Sequence, residues 1–107
     1  MEIKRFDVFV INLDPTIGSE IKIKRPCVIV SPNEMNKHLN TVIIAPFTSR
    51  ITLYPTRVNI TLRNKKGQVV LDQIRTVDKS RLINKAGKLS EKASKQVSEI
   101  LVEMFQF

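Results

Sequence analysis

Short runs of β-branched and aromatic residues, each closed by proline or a polar cluster, are the feature that most constrains this chain. Runs of that length suit strands better than helices, and their punctuation sets where the chain turns. Arg5 to Leu13 carries Phe6, Val8 and Val10 on one face and Asp7, Phe9 and Ile11 on the other. Both faces are largely apolar, so this strand is expected to be central, with Asp14-Pro15 stopping it. A polar loop, Thr16 to Lys24, leads to a second strand, Arg25 to Val30, ended by Ser31-Pro32. Asn33 to Leu39, with Asn33 as its cap, suits a short helical turn. The third strand is Thr41 to Thr48, where Pro46 argues for an edge or a bulge. Further strands are expected at Thr56 to Leu62, at Gly67 to Val77 and weakly around Leu82-Ile83. Arg63-Asn64-Lys65-Lys66-Gly67 reads as a hairpin connection.

Only the C-terminus has a helical pattern. Ser90 is a good N-cap, Glu91 favours the first turn, and Ala93, Val97, Ile100, Leu101 and Met104 form one apolar stripe. Short strands followed by one helix predict a small, strongly bent sheet or barrel with that helix packed against it. At 107 residues the chain is expected to be one domain, 1–107, around one core. No apolar run is long enough to cross a membrane. The start, Met1-Glu2-Ile3-Lys4-Arg5, lacks the apolar stretch of a signal peptide, so a cytoplasmic address is expected. Cys27, the single cysteine, sits in the run Cys27-Val28-Ile29-Val30 and reads as a buried thiol.

Charge narrows the partners. Eighteen Lys and Arg against ten Asp and Glu leave a formal +8, with a pI near 10.0. So basic a small domain favours a polyanion, either a nucleic acid or an acidic protein segment. The plainer reading is a cationic surface kept for solubility. Cutting RNA would require help for the 2′-hydroxyl proton, support for the leaving 5′-oxygen and cationic donors at phosphorus. His38 is the only histidine, so a two-histidine mechanism is excluded, and its polar setting reads as surface. No His/Cys cluster or phosphate-binding glycine loop is present, so neither a metal nor another cofactor is expected.

What remains is arginine and hydroxyl chemistry. If the strands 25–30 and 42–48 pair antiparallel, Arg25 lies near Thr48 at one mouth of the sheet. Pro26 biases Arg25 to an extended backbone. A guanidinium can hold two phosphate oxygens and a threonine hydroxyl a third. Glu20 is the nearest plausible carboxylate. Singly, each has a duller reading: a surface cation, a strand-end hydroxyl and a solvated loop acid.

The segments Asp14-Pro15-Thr16-Ile17-Gly18-Ser19-Glu20, Arg25-Pro26-Cys27-Val28-Ile29-Val30-Ser31-Pro32 and Ala45-Pro46-Phe47-Thr48-Ser49 resemble the MazF/PemK family of toxin-antitoxin ribonucleases. So does Gly67-Gln68-Val69-Val70-Leu71-Asp72-Gln73-Ile74-Arg75-Thr76-Val77-Asp78 before a C-terminal helix. The resemblance runs over nearly the whole chain in order and spacing. It implies an SH3-like barrel, a homodimer with an RNA groove across its interface, and an acidic antitoxin. It also implies cleavage of single-stranded RNA by 2′-hydroxyl attack without metal, leaving a 2′,3′-cyclic phosphate and a 5′-hydroxyl. The family's catalytic arginine falls on Arg25 and its threonine on Thr48; Glu20 matches an acidic residue that is a candidate base. Asp72 and Gln73 match a pair that either supports the site or touches RNA. Lys22, Lys24, Ser49, Arg50, Arg57 and Lys79 are the candidate RNA contacts.

Two other readings stand beside it. A gyrase-poisoning toxin of the same fold class would act through a C-terminus bearing Trp and Gly, whereas this chain has no tryptophan and ends Met104-Phe105-Gln106-Phe107. A non-catalytic nucleic-acid-binding barrel would bind without cutting.

Overall fold

The computed structural model describes residues 1–13, 18–19 and 24–107. Seven strands form one curled sheet: β1 (Asp7–Asn12), β2 (Lys24–Ile29), β3 (Thr41–Thr48), β4 (Arg57–Leu62), β5 (Lys65–Val70), β6 (Arg75–Asp78) and β7 (Leu82–Lys88). Helix α1 (Asn33–His38) links β2 to β3, and α2 (Glu91–Phe105) follows β7. The strand order is β4-β5-β3-β2-β1-β7, with β6 also on β3. The result is a curled half-barrel with a C-terminal helix, as the strand pattern predicts, and β1 is indeed interior to the sheet.

The curl follows from how β3 divides its partners. Its first half pairs with β6, from Thr41↔Asp78 to Ile44↔Arg75, while Phe47 and Thr48 pair with Val69 and Gln68 of β5. Pro46 was expected to mark an edge or a bulge; instead β3 has neighbours on both sides. Pro46 falls where β3 changes from β6 to β5, a place that does not demand its missing N–H. The single strand expected over 67–77 is broken for the same reason. β5 ends at Val70, a 3₁₀ turn spans Leu71–Gln73, and β6 starts at Arg75.

Three further expectations need correction. The connection 63–67 shrinks to a two-residue turn, with Arg63 at φ 49° and Asn64 at φ 66°. Both are left-handed, as a type I′ hairpin requires, and Lys65 to Gly67 belong to β5. Around Leu82-Ile83 the weak signal becomes a seven-residue strand. Its register along β1 shifts twice, so its apolar residues do not alternate and the pattern stays hidden. In α1 the cap position is Pro32, without a side-chain cap bond, and Asn33 is instead the first helical residue. The Asn33 carboxamide accepts from the Arg5 N–H at 2.7 Å.

Two apolar clusters lie on opposite faces of the sheet. Val8, Val28, Ala45, Val69 and Leu71 pack with Ala93 and Val97 of α2, while Phe9, Ile11, Cys27, Ile29, Val42 and Ile44 fill the other. Ser90 caps α2 as expected, its Oγ accepting from the Ala93 N–H at 3.1 Å. Ile100, Leu101 and Met104 continue the stripe against the first cluster. The sheet's two end strands approach each other where Arg63 Nε donates to the Ala86 carbonyl at 2.9 Å. Among the described residues no helix is long and apolar enough to cross a membrane.

Gly67 is where packing meets the candidate site. A Cβ there would run into the Phe47 ring and the Thr48 carbonyl oxygen. The ring could swing, but the carbonyl belongs to a paired strand and cannot. Gly67→Ala is therefore expected to destabilise the fold by about 2 kcal/mol, read from urea unfolding. An unchanged midpoint would mean that β3 and β5 separate more easily than their pairing implies.

Candidate active site

β2 and β3 run antiparallel with Cys27 opposite Pro46. The same register carried two residues further sets Arg25 against Thr48, on one face of the sheet. The Arg25 side chain is half-buried, and its Nη1 donates to the Phe47 carbonyl at 3.3 Å. That bond holds the guanidinium at the end of β3, next to Thr48. Thr48 is also half-buried, and its Oγ1 accepts from the Arg50 N–H at 3.2 Å. The expected juxtaposition of Arg25 and Thr48 is thus present.

The row continues sideways. Thr48 stands opposite Gln68, and Gln68 opposite Asn59, so all three share the Arg25 face. Gln68 is 2% exposed, and its buried amide is well used. Its Oε1 accepts from the Thr52 N–H at 3.0 Å, while Nε2 donates to the Thr52 carbonyl at 2.9 Å and to Asn59 Oδ1 at 2.8 Å. These bonds replace a missing ladder and pin the 49–56 loop beside Thr48. That loop carries the exposed side chains Ile51, Leu53 and Tyr54.

A groove of about 390 Å³ opens beside Arg25, bordered by Pro26, Phe47, Ser49, Arg63 and Lys65. Ser49 therefore reaches the Arg25 neighbourhood, Lys24 precedes it on β2 as an exposed residue, and Arg50 is exposed on the following loop. Arg63 and Lys65 were missed as site residues. Their signal was the basic hairpin segment, but only the turn geometry shows that it bends toward Arg25. Arg75, on β6, bonds the Leu13 carbonyl through Nη1 at 3.3 Å and, like Arg25, acts electrostatically on Cys27. Glu20 and Lys22 lie outside the described residues.

Other candidates stand apart. Arg57 and Asp72 are locked together, Nε to Oδ1 at 3.1 Å and Nη2 to Oδ2 at 3.3 Å, with Thr56 Oγ1 donating to Oδ1 at 2.8 Å. Burial opposes ionisation of Asp72, but the bonds from Arg57 and Thr56 outweigh it and hold its carboxyl below 3.8. What this pair adds to stability is full above 3.8 and is lost as pH falls through the lowered value. Arg57 faces α2 across a separate groove with Gln96 and Ile100. Gln73 ends the 3₁₀ turn that leads to Arg75. Lys79 is bonded through its N–H to Asn40, at the opposite end of β3 from Thr48. Seven residues of strand put it about 23 Å away.

Cys27 is fully buried, and burial pushes its thiol up to about 12 although Arg25 and Arg75 pull the other way. It is a neutral thiol at physiological pH. His38 ends α1, exposed and 3.4 Å from Glu34. Among the described residues no three His, Cys, Asp or Glu side chains gather as metal ligands would. Two guanidiniums, a lysine and the Ser49 hydroxyl border one groove, with Thr48 beside Arg25 at its rim, a set that suits a phosphodiester rather than a neutral ligand.

Residues 4–105 match the family described as PemK-like, MazF-like toxin of type II toxin-antitoxin system. The chain is 39% identical over 104 residues to Endoribonuclease MazF of Staphylococcus saprophyticus, covering 92% of this chain and 87% of that one. In architecture it is similar to a crystal structure of MazF from Deinococcus radiodurans, with TM-score 0.87 and 23% identity over 100% of this chain and 99% of that one. It is also similar to an endoribonuclease in complex with its cognate antitoxin from a mycobacterial species, with TM-score 0.81 and 24% identity over 94% and 92% of the two chains.

Proposed function

The chain belongs to the PemK-like, MazF-like family of type II toxins, and from this premise we infer that it is an endoribonuclease whose Arg25 and Thr48 hold the scissile phosphate. The observation that carries this is the Arg25 guanidinium fixed on the Phe47 carbonyl beside Thr48. Single-stranded RNA passes over the paired ends of β2 and β3, with its phosphate between the two side chains and its backbone running on into the groove beside Arg25. The 2′-hydroxyl of the nucleotide 5′ of the cut attacks phosphorus and gives up its proton, and the 5′-oxygen of the next nucleotide leaves, taking a proton from solvent to become the 5′-hydroxyl. Charge grows on the non-bridging oxygens, where Arg25 donates two fixed N–H groups and Thr48 one O–H. Glu20 is the proposed base for the 2′-proton. No step of this route needs a bound metal.

Ser49, Arg63 and Lys65 border the phosphate path, and the exposed Lys24 and Arg50, next to Arg25 and Ser49 in the chain, add to its field. The 49–56 loop held by Gln68 is placed to read the flanking bases. The partner is an acidic antitoxin, suited to a chain of charge +8. The working unit is a homodimer of single-domain chains, 1–107, acting in the cytoplasm on cellular RNA.

The test is to incubate purified protein with a long unstructured RNA in EDTA and map the ends. Discrete cuts with 2′,3′-cyclic phosphate and 5′-hydroxyl ends are expected. Binding without cutting would instead favour the non-catalytic barrel.

A further inference from the structure

β4 pairs with β5 on one side, and among the described residues no strand covers its other edge. Backbone N–H and C=O groups of a strand point alternately to its two sides, so this edge presents a ladder without a partner strand. Natural sheets usually shield such an edge. Here a groove of about 540 Å³ lies against β4, between it and the first turn of α2, and reaches across to Lys66 and Gly67 of β5. A smaller groove of about 310 Å³ shares Asn59 and Gln96 and continues along β4 to Arg57. Together they follow the whole six-residue strand, about 20 Å of open edge.

The lining of the larger groove says what could sit there. Leu62, Leu89 and Ala93 supply an apolar floor, and Lys66, Lys88 and Lys92 are exposed around it. No Asp or Glu is among its lining residues. This groove meets the Arg25 groove only at Leu62. An extended peptide satisfies all three features at once. Its backbone completes the ladder, alternate apolar side chains reach the floor, and the intervening carboxylates meet the lysines. RNA would meet the lysines but has neither the alternating N–H and C=O groups nor small apolar side chains.

We propose that the free edge of β4 is a docking site for an extended acidic peptide, which adds to the sheet as a further strand. This rests on the antitoxin reading above only for the natural source of the peptide. It places one anchor of such a partner outside the catalytic groove.

The probe is a synthetic peptide of about eight residues alternating glutamate and valine, titrated into the full-length protein. It is expected to bind, and to bind equally to the Arg25→Ala variant. N-methylation of alternate backbone amides should weaken it about tenfold, because the added strand loses its ladder bonds. The combined K66E, K88E and K92E variant should bind about a hundredfold more weakly while cutting saturating RNA at the parent single-turnover rate, its lower net charge weakening only RNA affinity, which also shows that it is folded. Equal binding of the N-methylated peptide would overturn strand addition. No binding at all, or binding lost in Arg25→Ala but kept in the triple variant, would overturn the site. Loss of RNA cleavage together with peptide binding in the triple variant would assign the groove to RNA. If the peptide binds at β4 yet the RNA is never cut, the endoribonuclease reading fails and this one stands.

Discussion

Arg25→Ala is expected to cut RNA at least a hundredfold more slowly while changing stability by under about 1 kcal/mol. The size follows from removing a fixed donor from an oxyanion at the transition state, which typically takes away a hundred- to a thousandfold. The small structural effect follows from position. Arg25 is half-buried at the start of β2, and its guanidinium bonds the Phe47 carbonyl at 3.3 Å from outside the two apolar clusters. Both apolar clusters keep every member without it. Arg25→Lys separates charge from geometry, because lysine keeps the cation but cannot present two parallel N–H groups. It should recover little of the rate. Single-turnover cleavage beside urea unfolding measures both quantities. Activity above about a tenth of the parent in Arg25→Ala would remove this residue from the mechanism.

Most of the elements were legible because they obey local rules. β3 was readable to its end residues, Thr41 and Thr48, since an unbroken β-branched run flanked by polar residues has one plausible extent. The α2 cap and stripe were legible for the same reason. The sequence concealed what depends on pairing. Pro46 looks like an edge marker until β3 is seen to change partners there, and β7 looks weak because its alternation is broken by two register shifts. For the site, the facing of Arg25 and Thr48 required only one antiparallel guess. Arg63, Lys65 and Arg75 could not be placed without the curl that brings the β4–β5 turn to β7 and β6 toward the end of β1. Gln68 was hidden too. Within Gly67-Gln68-Val69 it reads as an ordinary polar strand residue, whereas its amide spans a loop sixteen residues away in sequence. Arg57 and Lys79 illustrate the converse. Positive charge alone nominated them, but one is committed to Asp72 and the other lies at the far end of β3.

A single 2′-deoxy substitution on the nucleotide just 5′ of the cut is expected to abolish cleavage while leaving binding within about twofold, since one hydroxyl contributes little to a groove dominated by phosphate contacts. The described residues near Arg25 offer guanidiniums, a lysine and hydroxyls, but no histidine, and His38 lies on α1 beside Glu34. Such a site mainly stabilises charge, so the proposed base Glu20 is expected to act, rather than on a free water, on a nucleophile already held against the phosphorus. RNA supplies it as the 2′-hydroxyl, already tethered to the phosphate it attacks. Held in line, an intramolecular attack can gain on the order of 7–11 kcal/mol through proximity and orientation, more than any one donor provides. Removing that oxygen therefore removes the reaction, whereas removing Arg25 only slows it. DNA of the same sequence should bind as an uncleaved competitor. EDTA should leave the RNA rate unchanged, and the new 5′ ends should accept phosphate from a kinase without prior dephosphorylation. Cutting of the 2′-deoxy substrate at a comparable rate, or a rate that rises with added magnesium, would show that water or a metal-bound oxygen attacks instead. The roles of Arg25 and Thr48 would then have to be rebuilt around that nucleophile.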